Sequence, residues 1–560
     1  MAAARPLTSA ELRLLEASAE GAIADFSAIE SSVNRPVAIA DANPIDTPAD
    51  QGVGPADRTN QQSRAADLVR ADQRTPSAHV EQSRAAEIVR TDDRTLSVDI
   101  EQCRAEFART KERTLSGDVV RTLLTRSNPA WRVTRAGVRV VGARITGVLD
   151  LTGATIDFPI AFVNCHFDQE LSLRGATLRS VFLGGSDVPG IDASSLHVHG
   201  DVQLCDGFRA HGSVRFDRAN VDGNLSLNGA LLDSHDRAGL PADSTSSSGV
   251  ISDSHNRRAP LAGSLDSNVR SDPATEITFS GHASNRVGLP ADSTSSSRSE
   301  LLDSGKCYAL FADEVTIHGH LLMSNGFHSV GEVSVRRAHI GGMFYCSHCR
   351  FENTGAVAIA TDEVVIDGDL VMSNGFVANG EVSIRRAHLR RHLYCLHGTF
   401  KNPGGNALSA DAAEVGGRAY LGDWFAAQGA VRLCDAKVAG DLYCVGGIFQ
   451  NSGGDALCAN GIGVGGNVRM HSRFLAQGAV RLAHARIAGA LNCDGGHFEN
   501  ADGVALTLEG AEIGRNAIIG GAFRASGTVN FTGAKIGGAF DTEGPKFDQL
   551  IIEGVSVGER

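Results

Sequence analysis

The chain has 560 residues, of which 42% are hydrophobic but only 5% aromatic, with 64 glycines. So little aromatic material excludes large aromatic pockets and suits thin layers of Val, Ile, Leu, Ala and Cys around tight bends. The formal charge of −13 is uneven, with 4 arginines facing 9 acidic residues in positions 1–60 while positions 301–560 are close to neutral, and no apolar run is long enough for a membrane span.

In chain order, residues 1–32 are expected to hold an N-terminal helix. Thr8-x-x-Glu11 is a capping box, and Leu12, Leu14, Leu15 and Ala19 follow at helical spacing. Because Met1-Ala2-Ala3-Ala4-Arg5 leads into charged sequence and not an apolar leader, a soluble cytoplasmic protein is expected. Residues 33–61, rich in Pro, Asp, Asn and Gly, read as a flexible linker. Residues 62–130 read as short helical repeats and an N-terminal cap: Ser63–Arg70 recurs as Ser83–Arg90, and Arg-Thr-x-Ser elements place a capping serine before each helix. The last of these helices runs from about Ser116 to Leu124, and Asn128-Pro129 ends it.

From Trp131 the chain is an array. Ala143, Ala154, Cys165 and Ala176 are eleven apart, and Ile145, Ile156, Phe167 and Leu178 keep the same step. Each step yields two short apolar pairs with alternating residues facing one side, which is strand periodicity broken by bends at small residues. Four such sides close a coil of about 22 residues. Later the period lengthens: Phe327, Phe376, Phe425, Phe474 and Phe523 are forty-nine apart, as are Val333, Val382, Val431, Val480 and Val529, which corresponds to two coils per module. The expected fold is therefore an all-β parallel β-helix solenoid, with coils at 131–231 and 307–541, a disordered Ser-rich insertion at 232–306 and a C-terminal cap or tail at 542–560. About fourteen coils at about 4.8 Å each would give a rod of about 65 Å. The insertion carries Gly-Leu-Pro-Ala-Asp-Ser-Thr-Ser-Ser-Ser twice, at Gly239–Ser248 and Gly288–Ser297.

The A-x-I-x-x-x-L pattern resembles the pentapeptide-repeat proteins, which implies a right-handed quadrilateral β-helix. The step here alternates five and six, where that family keeps five. The segment Gly142-Ala143-Arg144-Ile145-Thr146-Gly147-Val148-Leu149-Asp150-Leu151 and the later Gly-x-Val-Arg-Leu-x-x-Ala-x-Ile-x-Gly blocks look like a group of uncharacterised actinobacterial proteins, some labelled membrane-associated oxidoreductase. That resemblance covers 116–230 and 307–550 and brings no catalytic residue with it.

Several motifs could carry chemistry. Cys346-Ser347-His348-Cys349 is the candidate metal or redox site, since C-x-x-C beside a histidine can hold zinc or form a dithiol. Yet Cys346 belongs to the column Cys346, Cys395, Cys444, Cys493, where buried thiols about 10 Å apart are expected. Gly461-Ile462-Gly463-Val464-Gly465-Gly466 matches the dinucleotide fingerprint but lacks a following helix, so its glycines are expected at coil corners. His197, His199, His318, His320, His339 and His388 are expected as solvated surface, and Asp367 and Asp369 as structural or solubilising groups. No catalytic residue, metal or cofactor is assigned.

The expected function is a non-enzymatic scaffold or macromolecule-binding protein, with another protein as partner, no nucleic acid, no integral membrane segment and scope for a homo-oligomer. The alternatives are an oxidoreductase or glycan-active enzyme, requiring a cofactor or converging acids, and a DNA mimic acting on a topoisomerase, requiring an acidic face.

Overall fold

A computed structural model describes residues 7–26, 113–234 and 308–558. The expected linker, the helical repeats of 62–112 and the duplicated Ser-rich motif lie outside the described residues. The described residues form a parallel β-solenoid whose strands fall into a 36-stranded and a 15-stranded sheet, the latter contributing one strand to each of 15 turns.

Each turn has four sides. The first carries Thr177–Leu178, Asn220–Val221 and their successors down to Ser556–Val557. The second carries Leu393–Tyr394 and its stacked partners, the third the phenylalanine strands such as His166–Phe167, and the fourth Val214–Arg215 and its followers. Inward side chains alternate with outward ones, so Val, Ile, Leu, Ala, Phe and Cys fill one continuous interior. Phe327, Phe351, Phe376, Phe400, Phe425, Phe449, Phe474, Phe498 and Phe523 stack in successive turns at centroid spacings of 4.9–5.6 Å. The forty-nine-residue period thus connects every second rung of one ladder.

Two coils share a module unequally. His388 lies 26 residues before its neighbour Glu414, and Glu414 lies 23 before Lys437. The longer coil carries a bulge at the corner between third and fourth sides. There Asn353, Asn402, Asn451 and Asn500 each donate from Nδ2 to the carbonyl four residues on, at 2.7, 2.9, 2.9 and 2.9 Å. The shorter coil answers with a glycine: Gly380, Gly429, Gly478 and Gly527 hold φ of 129, 116, 122 and 106°. A Cβ on Gly429 would lie 2.4 Å from Asn402 O and 2.8 Å from Gly405 O, so the bulge of one coil fills the space a side chain would need in the next. The described array stops after Ser234 and resumes at Tyr308 at this same corner, because Leu231–Asp233 pairs with His328–Val330 on the third side and Leu310 pairs with Val214 and Val333 on the fourth.

The N-terminal end is closed by sequence-local structure. Helix α1 (Ser9–Glu20) starts with the Thr8–Glu11 capping box and stops at Gly21, φ 73°. It buries Ala10 and Leu14, and Ala24–Asp25 then pairs with Val140–Val141 of the first coil. Thr114–Ser116 pairs with Arg144–Thr146, and helix α2 (Gly117–Leu124) buries Val120, Leu123 and Leu124 against the same end. At the other end, residues from the segment expected as a C-terminal cap form strands of the last turn, with Lys546–Ile551 paired to Arg524–Asn530.

Outward charges alternate in sign along the array. Glu314 pairs with Arg337 at 3.0 Å, Glu363 with Arg386 at 2.6 Å, Glu414 with Lys437 at 2.8 Å and Glu512 with Lys535 at 2.9 Å. Acids on the longer coils meet bases on the next shorter coil, which accounts for the near neutrality of these modules. Each pair is solvent-exposed and contributes little to stability.

Candidate binding face

Stacking in register places outward side chains of the second side one coil rise apart. Tyr394 and Tyr420 stack with centroids 4.9 Å apart and planes within 5°, and Tyr443 follows at 5.7 Å. Gly422 admits the Tyr443 ring, whose Cε1 would be 2.8 Å from a Cβ there. All three tyrosines are half-buried. Burial raises the Tyr394 and Tyr443 phenols above the ordinary tyrosine range, with Tyr420 and Asp423 respectively adding to it, so both stay protonated.

Charged and aromatic groups flank the ladder. Trp424 stands at the corner between second and third sides with φ 67° and 64% exposure, the most exposed large hydrophobic side chain among the described residues. Arg418 reaches the Tyr420 hydroxyl at 3.4 Å, and Arg469 pairs with Asp441 at 3.2 Å. Arg391 lies in the turn before. A rigid sheet thereby presents three tyrosines, one tryptophan and several guanidinium groups on one side. Such residues carry most binding energy at protein interfaces, because they bury large area with little loss of rotamer freedom.

The sequence-level candidates lie elsewhere. Cys346 and Cys349 are buried while His348 is exposed at a corner with φ 50°, so the imidazole faces away from the two thiols. Cys346 stacks on Met372, which separates it from the next thiol of its column. Burial holds Cys346, Cys395, Cys444 and Cys493 above the usual thiol range, the Cys349 hydrogen bond adding to it at Cys346. Gly461 sits at a corner with φ 69°, and Gly465 and Gly466 meet Ala439 O and Asp441 Oδ1 where a Cβ would stand, at 2.3 and 2.2 Å. Strand Val468–Arg469 follows this run, not the helix a pyrophosphate needs. Asp367 is paired with Arg390 at 2.9 Å and His339 at 3.3 Å. Asp369 accepts from the His392 backbone N–H at 2.9 Å, and His392 Nδ1 accepts in turn from Arg418 N–H at 2.9 Å, so this corner column caps one coil with the next.

One pair escaped the period. Cys434 and Cys458, 24 residues apart, bring their Sγ atoms to 2.7 Å on adjacent coils of the fourth side. The hydrogen bond from Cys434 lowers the Cys458 thiol to about 7 against the opposing effect of burial, while the same bond and burial raise Cys434. Among the described residues no helix is long and apolar enough to cross a membrane, and the nine described cysteines are free. No protein-family model, curated protein or solved structure matches the chain.

Proposed function

We propose that this protein is a non-enzymatic β-helical scaffold that binds another protein through the Tyr394–Tyr420–Tyr443 side of its array. The observation that supports this most is the half-buried stacked ladder flanked by exposed Trp424 and by Arg418 and Arg469. A flat, rigid face offers extended contact and no deep cleft, and its guanidinium groups favour a partner with acidic residues around an apolar centre. The sign alternation between coils speaks against an acidic DNA-like face. The unpaired thiols of the core suit a cytoplasmic location.

The test uses the full chain as bait in three forms: unaltered, with Tyr420→Ala and Trp424→Ser together, and with Arg486→Ala on the first side as a matched control. The reading expects a defined protein retained by the first and third forms and lost by the second. Equal retention by all three would refute the face, and retention of polynucleotide in place of protein would refute the partner class. A flavin absorption band in the purified protein would instead favour the oxidoreductase that the resemblance suggests.

A further inference from the structure

On the first side, four coordinating groups converge where the coils before and after residues 235–307 meet. His197 lies beside Asn220 and Asn220 beside Thr316 in the parallel register, so His199, Asp222 and His318, each two residues further, form an adjacent outward row. His197 Nε2 is 3.2 Å from His199 Nδ1, His199 Nδ1 is 3.1 Å from Asp222 Oδ2, and His197 Nε2 is 3.5 Å from that same oxygen. The other carboxylate oxygen, Oδ1, lies 3.6 Å from His318 Nδ1. Among the described residues, His197, His199 and Asp222 are the group of His, Cys, Asp and Glu whose ligand atoms lie close enough to share an ion, with His318 beside it.

The triangle has a geometric reading. In tetrahedral zinc, with ligand bonds of about 2.0–2.1 Å, neighbouring donor atoms stand about 3.3 Å apart. All three edges here are close to that value. Hydrogen bonding satisfies the triangle poorly. The two facing nitrogens of neutral imidazoles supply at most two protons for three edges, and if both point at Asp222 the two N–H groups oppose each other at the third edge. A cation at the centre takes one lone pair from each corner.

We propose that His197, His199 and Asp222, with His318 or water in the fourth position, bind one divalent transition-metal ion of the zinc class. Two or three imidazoles with one carboxylate select zinc, nickel or copper over calcium or magnesium, which require oxygen cages. Asn220 supports this assignment. Its side-chain amide is 3.5 Å from His197 Nδ1. With the amide turned over, Oδ1 accepts from Nδ1–H of His197, which fixes the tautomer whose Nε2 lone pair faces the ion.

The site also has a mechanical consequence. His197, His199 and Asp222 precede residues 235–307 in the chain and His318 follows them, so the ion clasps two adjacent coils and, with His318 as fourth ligand, a third across the point where the array is interrupted. Because the ion binds the folded coils and not the separated segments, it stabilises their stacking by mass action.

The test is titration of the untagged full chain, stripped with chelator, with cobalt and zinc ions alone. The expected result is one equivalent bound per chain, with the visible absorption of tetrahedral cobalt and a rise in melting temperature on adding zinc. His199→Ala and the near-isosteric Asp222→Asn should each weaken binding tenfold or more, His318→Ala should weaken it less, and His339→Ala, on the same side, should leave it unchanged. Circular dichroism checks that each variant is folded, and Asp222→Asn serves where an alanine variant fails. Absence of a stoichiometric site, or unchanged affinity in both His199→Ala and Asp222→Asn, would overturn the proposal.

Discussion

Replacing Gly429 by alanine tests the account of why a coil of one length is followed by a coil of another. Gly429 holds φ 116°, where an L side chain is strained, at a cost of about 1–3 kcal/mol. The new Cβ would also meet Asn402 O at 2.4 Å and Gly405 O at 2.8 Å, and these are backbone atoms held in the bulge, not the ends of flexible side chains. Relieving that contact shifts the bulge and adds about 1–3 kcal/mol, for a total of about 2–6 kcal/mol. Gly453→Ala is the matched control, because Gly453 also has positive φ, 80°, but nothing lies within 4 Å of its Cβ direction, so only about 1–2 kcal/mol is expected. Denaturant unfolding gives the global cost. Amide exchange across 399–432 reports whether the loss is local, as nearest-neighbour stacking requires. Removing residues 403–405 to shorten the bulge should reduce the Gly429→Ala penalty, a coupling that a double-mutant cycle measures. Equal costs for Gly429→Ala and Gly453→Ala, within about 0.5 kcal/mol, would refute the reasoning.

Further expectations follow from the core and the sulfurs. Phe425→Ala removes one rung between Phe400 and Phe449 and should cost about 3–5 kcal/mol in denaturant unfolding, since its neighbours are held by their own coils and cannot collapse into the gap. Asn402→Ala deletes the 2.9 Å bond that pins the bulge and should cost about 0.5–1.5 kcal/mol in the same assay. Alkylation followed by mass spectrometry should modify Cys434 and Cys458 before Cys346, Cys395, Cys444 and Cys493, which react only after unfolding. Because the Cys458 thiol is lowered to about 7, its rate should rise as pH climbs through that value, the thiolate being the nucleophile.

Much of the scaffold was legible because inward positions are constrained by packing. Any residue pointing into a coil must match the space left by the coils above and below, so Phe449 and Phe474 can be assigned to successive coils from sequence, and they stack at 5.3 Å. The glycines of the G-x-G-x-x-G run and Thr8–Glu11 were equally readable, since corner geometry and capping are local. The shared corner was not legible. Nothing in the sequence of 235–307 resembles the five-residue Asn bulges, and only strand pairing shows that the array stops after Ser234 and resumes at Tyr308 at the corner where those bulges stand.

Outward positions carry less packing constraint and so keep the period less strictly. Cys434 meets Cys458 across 24 residues, His199 meets Asp222 across 23, and Tyr394 stacks on Tyr420, which lies outside the forty-nine-residue series Tyr345, Tyr394 and Tyr443. From sequence, His197, His199 and His318 are separate surface histidines, and the C-x-x-C beside His348 is the better candidate for metal. Folding reverses the comparison, since it directs His348 away from the thiols and brings the other three around one carboxylate. The sequence alone determined the strand period, the coil count to within about one turn and the residues of the core, because burial imposes those on every repeat. Only the tertiary structure decided which outward side chains become neighbours, because that depends on the exact length of each coil, and unequal coils of 23 and 26 residues set a register that the repeat period does not reveal.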